Sequence, residues 1–71
     1  MTPTILIETL ETTAEAIALN PQHYLSRRRM LSVSRILKTN GLKEQSERVN
    51  KASNGRTDDM IDLLREIANS I

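Results

Sequence analysis

The apolar and polar positions of the chain follow a helical period, and they predict four helices. The first helix is predicted over Pro3 to Leu19, with Thr2 as its N-cap. Pro3 suits the first helical position, where a missing N–H costs nothing. Apolar residues recur three or four positions apart and acids fall on the opposite side, the pattern of an amphipathic helix. The apolar positions are Leu6, Leu10, Ala14 and Ile17, and the acids are Glu8, Glu11 and Glu15.

The second helix is predicted to be the longest, with Asn20 as N-cap and Pro21 at its first position. Gly41 should end it, because glycine readily takes the left-handed conformation that closes many helices. One side of this helix carries most of its apolar residues and is predicted to face the core. These residues are Leu25, Met30, Val33, Ile36 and Leu37.

The last two helices differ in the strength of their pattern. Helix 3, Leu42 to Ser53, is polar on nearly every side, so either a short surface helix or a loosely ordered segment is expected. Helix 4 follows Thr57, which is predicted as its N-cap. Its apolar residues cover an arc of roughly 160° and continue to Ile71, so this end of the chain should be packed against something.

These elements predict one all-α domain, residues 1–71, built as a small antiparallel bundle of three to four helices. The chain has no Cys, Phe or Trp, and its only aromatic residue is Tyr24. A core this small is marginal without disulfides or metals, so a homodimer is expected to complete it. The predicted core consists of Leu6, Leu10, Ala14, Ile17, Leu25, Val33, Ile36, Leu37, Leu64, Ile67 and Ala68.

Several features point to a cytoplasmic protein without a membrane segment. The first residues lack the basic stretch and long apolar run of a signal peptide. No apolar run approaches the length of about 18 residues that spans a bilayer. The absence of Cys fits a reducing compartment.

The charge is close to balanced but unevenly placed. Residues 1–19 carry three acids and no base, residues 20–56 carry nine bases and two acids, and residues 57–71 carry four acids and one base. The middle of the chain therefore has a net charge of +7 between two segments of −3. This segregation is the first indication of function in the sequence.

The second helix carries the candidate binding residues. Tyr24 and Leu31 lie seven residues apart on the side away from the predicted core, and cations surround them. A helix face of this kind is typical of a partner-binding surface, although helix 3 or a second copy of the chain could also cover it. Arg29 is predicted on the core side, where it must pair with an acid or extend to solvent. The predicted partner-binding residues are Tyr24, Arg27, Arg28, Leu31, Arg35 and Lys38.

Nucleic-acid binding is the alternative interpretation of the same face. Lys43, Arg48, Lys51 and Arg56 would add phosphate contacts, and nearby polar side chains would add hydrogen bonds. Thr39-Asn40-Gly41-Leu42 resembles the turn of a helix-turn-helix, but Glu47 and Asn50 stand where the reading helix needs apolar anchors. The polar side chains in question are Ser26, Ser32, Ser34, Thr39 and Asn40.

The sequence gives no support for enzyme chemistry. His23 is the only histidine, and without Cys no transition-metal set or nucleophile pair can be assembled. Asp58, Asp59 and Asp62 match a magnesium-binding spacing, but stabilisation of a helix N-terminus explains them more simply. The predicted function is therefore a small non-enzymatic regulator or inhibitor that binds a protein, with nucleic-acid binding or a purely structural homo-oligomer as alternatives. No cofactor, metal, membrane or small-molecule substrate is expected.

Overall fold

Four helices account for most of the chain in the computed structural model, which describes residues 2–71. Helix α1 spans Pro3–Leu19, α2 spans His23–Thr39, α3 spans Lys43–Ala52 and α4 spans Thr57–Ser70. Residues 2–71 contain no strand, so the predicted all-α fold class is confirmed. None of the four helices combines the length and apolar character that crossing a bilayer requires.

The first two helices differ in how well their starts were predicted. Helix α1 has the predicted bounds, and the Thr2 hydroxyl accepts a hydrogen bond from the Ile5 N–H at 3.3 Å. The predicted start of α2 is wrong, because Asn20 closes α1 by donating its N–H to the Ala16 carbonyl. Pro21 disfavours helical geometry at the residue before it, so α1 does not continue through Asn20. Helix α2 begins at His23, with Gln22 in the N-cap position.

Helices α3 and α4 are both ordered. The weakly patterned third segment forms a helix from Lys43 to Ala52, so the loosely ordered alternative is wrong. Helix α4 includes Thr57 itself, and the residue in the N-cap position is Arg56, which makes no side-chain cap. The Arg56 carbonyl accepts the Met60 N–H at 3.1 Å, so the predicted cap at Thr57 is one residue too late.

The helices associate as two pairs, α1 with α4 and α2 with α3. Helices α2 and α3 run antiparallel and side by side. Near their turn the Ser34 hydroxyl donates to the Ser46 carbonyl at 2.8 Å, and at the far end His23 Nε2 lies 3.2 Å from the Gly55 carbonyl. The second contact is made by the turn that follows α3, and together the two contacts favour a small angle between the helices over the strong crossing of a helix-turn-helix.

The core lies between the two pairs and is purely aliphatic. The prediction for Leu25 is wrong, because it is only half-buried and does not pack against the core, whereas Ile36 is half-buried but packs against the core. Helix α2 is turned by roughly 60° from the predicted orientation, at 100° per residue. Its buried face is centred on Met30 and Leu37, because α3 covers the neighbouring side. The buried core is Leu6, Leu10, Ala14, Ile17, Met30, Val33, Leu37, Val49, Met60, Leu64, Ile67 and Ala68.

Helix α4 leaves little apolar surface uncovered. Met60, Leu64 and Ile67 are fully buried, and Ile61 and Leu63 pack against the core. The apolar arc of α4 is therefore largely covered, but Ile71 after its end is 39% exposed, so the predicted packing of this end of the chain is incomplete. The core residues are thus buried within a single copy of the chain.

Candidate binding face on the second helix

One side of α2 gathers six residues that the sequence predicted as partner-binding. At 100° per residue they fall within an arc of about 100°. We call this surface the α2 basic face; it consists of Tyr24, Arg27, Arg28, Leu31, Arg35 and Lys38. Its four cations are exposed, Tyr24 is 69% exposed and Leu31 is half-buried. Leu31 is thus partly covered within the fold, whereas Tyr24 is open to solvent.

The cations of α2 form no ion pair with an acid of residues 2–71. The ion pairs within residues 2–71 join Arg48 to Glu66 and Arg56 to Asp58, the latter at 3.8 Å. Neither pair involves α2, which carries five cations and no acid. Like charges on one helix repel one another, so a surface of this kind gains most from an external anionic group.

Tyr24 has a defined neighbour on the basic face. The Arg28 guanidinium lies 5.8 Å from the centre of the Tyr24 ring, one helical turn away. This distance is within the range of a cation–π contact, which at an exposed site contributes about 0.5–1 kcal/mol. Tyr and Arg are the residue types most often found as energetic anchors in protein interfaces.

Of the two alternatives predicted for Arg29, the structure shows extension to solvent and not an ion pair with an acid of residues 2–71. Arg29 is exposed, and helical geometry places it 100° around the axis from Arg28, off the α2 basic face. The rotation of α2 moves this position out to solvent. Arg29 is therefore a cation on the same helix that does not belong to the candidate site.

Most of the polar side chains proposed for nucleic-acid contacts are committed to the fold. Ser26 and Ser34 are buried, and Ser34 bonds to α3. Thr39 Oγ1 and Asn40 Nδ2 donate to the carbonyls four residues earlier, at 2.9 and 2.7 Å. Only Ser32 is exposed without a hydrogen bond in the part of the chain that the structure describes.

A shallow groove of about 780 Å³ continues the α2 basic face onto α3. Ser34 and Ser46 lie in it, and charged side chains of both signs border it. The three cations that α3 contributes to the groove were predicted only as phosphate contacts of the nucleic-acid alternative. The cations are Arg35, Lys38, Lys43, Arg48 and Lys51, and the acids are Glu44 and Glu47.

The pairing of helices separates charge in a way that the linear sequence did not reveal. Helix α1 carries three acids and no base, and α4 carries four acids and one base, so this pair has a net charge of −6. Helix α2 carries five bases, and α3 three bases and two acids, which gives +6. The fold thus brings the two acidic segments together, on the pair that does not carry the basic face.

The acidic pair also exposes an apolar residue that the sequence interpretation overlooked. Leu19 is 79% exposed and lies on the side of α1 that carries the three glutamates. A helical wheel of α1 places Leu19 next to Glu8 and Glu15 and opposite the buried residues, so the sequence pattern could have identified it as exposed.

No protein-family model, curated protein or solved structure matches the chain. Within residues 2–71, no three His, Asp or Glu side chains converge on a possible metal site.

Proposed function

We propose that the chain is a small non-enzymatic regulator or inhibitor that binds an acidic surface of a larger protein through the α2 basic face. One observation carries the proposal. Four exposed cations surround Tyr24 and Leu31, and none of them is paired with a carboxylate of residues 2–71. An interface of this kind combines an aromatic anchor with charges that steer an acidic partner. We propose that this activity takes place in the cytoplasm, because the absence of Cys fits a reducing compartment.

The proposed function does not include a symmetric homodimer formed through two α2 basic faces. A symmetric contact between two α2 basic faces would bring eight cations together, and like charges facing each other destabilise an interface. The patch around Tyr24 and Leu31 is therefore better suited to a partner of opposite charge. A purely structural homo-oligomer built on this face is the least favoured function.

Nucleic-acid binding remains the second candidate. The row of Arg35, Lys38, Lys43 and Lys51 along the groove favours it, since phosphates are recognised by such clusters. Glu44 and Glu47 border the same groove and would repel a phosphate backbone. A protein partner with acids and a few bases matches this mixed border better than a uniformly anionic polymer.

The test compares two charge-reversal variants of an affinity bait. Arg28→Glu/Arg35→Glu reverses two cations of the basic face, and Arg29→Glu/Arg56→Glu reverses two exposed cations outside it. Both variants change net charge equally and touch no buried residue. Pull-downs from extract of the native cell, with and without nuclease treatment, are followed by mass spectrometry, and circular dichroism verifies helicity.

We expect a protein that the wild type and the Arg29→Glu/Arg56→Glu variant retain but the Arg28→Glu/Arg35→Glu variant loses. If both variants lose it equally, net charge rather than this face decides binding. If neither variant loses it, the face is not the site. Binding that disappears with nuclease treatment, together with steep salt dependence on heparin, would instead establish the nucleic-acid candidate.

A further inference from the structure

The two helix pairs give one copy of the chain surfaces of opposite sign that stay electrically distinct in physiological salt. The molecule measures 29 × 19 × 16 Å. The Debye length at about 0.15 M salt is roughly 8 Å, so the salt largely screens the interaction between charges on opposite sides of the molecule. A second copy can therefore experience the −6 pair and the +6 pair as separate surfaces.

The glutamates of α1 form a stripe whose spacing matches the α2 basic face. Glu8 and Glu15 are seven residues apart, as are Arg28 and Arg35, so each pair spans about 10.5 Å along its helix. All four side chains are exposed. Within residues 2–71 no carboxylate of α1 forms an ion pair. Laid side by side, one helix places two carboxylates opposite the two guanidinium groups of the other.

Apolar side chains complement each other on the same two surfaces. Leu19 stands exposed at the end of the glutamate stripe, and Tyr24 and Leu31 lie beside Arg28 and Arg35. Contact between them would remove from water apolar area that the fold leaves uncovered. Charge, spacing and exposed apolar residues thus agree on one occupant of the α2 basic face.

We infer that this occupant is a second copy of the chain, whose Glu8–Glu15 stripe on α1 docks on the α2 basic face. This contact joins different surfaces, so it avoids the repulsion that disfavours a symmetric α2–α2 dimer. It uses the face of the proposed function but does not depend on the larger protein partner. Self-association and partner binding then compete for Arg28 and Arg35, which makes the free face most available at low protein concentration.

Analytical ultracentrifugation of the purified chain tests the inference. At about 20 mM salt the wild type should sediment above its monomer mass of 8.0 kDa, and at about 500 mM salt it should return to that mass, because screening weakens contacts between exposed charges. Two variants, Arg28→Glu/Arg35→Glu and Glu8→Lys/Glu15→Lys, should each remain monomeric at low salt. Circular dichroism establishes that both are folded.

Mixing the two variants provides the decisive measurement. Each retains the surface that the other lacks, so an equimolar mixture should form a heterodimer at least about tenfold more tightly than either variant associates alone. A monomeric wild type at low salt, a variant that still self-associates, or a mixture that stays monomeric would each overturn the inference.

Failure here is distinguishable from failure of the proposed function. The Glu8→Lys/Glu15→Lys variant has an intact α2 basic face, so it should still retain the cellular protein in the pull-down. If it does so while the wild type proves monomeric, the self-association is wrong and the partner-binding function stands. If the mixture associates but no protein is captured, the reverse holds.

Discussion

The hydroxyl groups of Ser34 and Ser46 each donate to the backbone carbonyl of the other residue, at 2.8 and 2.7 Å, and so tie α2 to α3. The two hydroxyl oxygens are themselves 2.9 Å apart, which places the helix backbones in close approach. Small side chains permit this distance, and the hydrogen bonds satisfy polar groups that the contact buries. The α2 basic face and the α3 groove are held in register by this contact.

We expect Ser34→Ala and Ser46→Ala each to lower the free energy of unfolding by about 1 kcal/mol, because each removes one buried hydrogen bond. Ser34→Leu should cost more, typically about 1–3 kcal/mol, because the larger side chain would also push apart the two helices that approach closely at this serine pair. Urea denaturation followed by circular dichroism measures these changes.

Ser26→Ala is the matched control for the serine variants. Ser26 is fully buried on the same helix, but its hydroxyl has no hydrogen-bond partner in the described part of the chain. Its removal should leave stability unchanged or raise it by up to about 1 kcal/mol, because an unpaired buried hydroxyl is destabilising. A loss at Ser26 as large as that at Ser34 would contradict the assigned role of the serine pair.

Gly41 is required in the turn between α2 and α3 for its backbone conformation. Its φ is +80°, and a Cβ built there would meet nothing within 4 Å. Gly41→Ala should therefore cost about 1–2 kcal/mol from backbone strain alone. In a domain of this size each kcal/mol lowers Tm by about 4–8 °C, which thermal denaturation resolves.

Gly55→Ala tests the cause of that loss. Gly55 does not have a positive φ, and an added Cβ would lie 3.4 Å from the Ala52 carbonyl oxygen. We expect a much smaller change in Tm than at Gly41. Equal losses at the two glycines would argue against left-handed strain as the reason for Gly41.

Met30 and Leu31 are neighbours in the sequence with opposite roles. Met30 is fully buried in the core, so Met30→Ala should cost about 2–5 kcal/mol through lost contacts and a cavity. A domain this small can lose its folded state by such a change. Denaturation should reveal this loss directly.

Leu31→Ala should instead spare the fold and weaken binding. Leu31 is half-buried on the α2 basic face and is not part of the buried core. We expect a stability loss of about 1 kcal/mol or less and reduced retention of the partner or second copy. Retention at the wild-type level would remove Leu31 from the site.

The Arg48–Glu66 ion pair is expected to contribute little to stability. It joins α3 to α4, but its side chains are 49% and 60% exposed. Exposed pairs typically contribute about 0–1 kcal/mol, and salt screens them. Arg48→Ala should therefore shift the urea midpoint only slightly, and raising the salt concentration should abolish the difference from wild type. A larger, salt-independent loss would indicate that the Arg48 stem matters for packing.

Periodicity was sufficient for the helices that have an amphipathic pattern. It predicted α1 to the residue, the end of α2 at Gly41 and the acidic start of α4. It failed at Asn20, which could either cap the second helix or close the first. Asn20 closes α1, because Pro21 disfavours helical geometry at the residue before it. Periodicity also undervalued α3, whose order comes from burial of Ser46 and Val49 against α2 rather than from its own composition.

The residues of the candidate site could be predicted from the sequence, but the orientation of α2 in the bundle could not. A helical wheel places the six residues of the α2 basic face on one side whatever the helix packs against. The wheel does not reveal how far that helix is turned in the bundle. For this reason Arg29 was predicted on the core side, and the buried Ser26 and Ser34 were predicted to contact nucleic acid. That orientation depends on which neighbour approaches and how closely.

The sequence by itself determined the helices, their aliphatic core and the concentration of positive charge in the middle of the chain, because these follow from local spacing and residue type. Tertiary structure alone decided that α1 pairs with α4. This pairing unites two acidic segments almost forty residues apart and sets them on a different helix pair from the basic one. Such a choice depends on which apolar faces fit together over long sequence separations, and no local pattern encodes it.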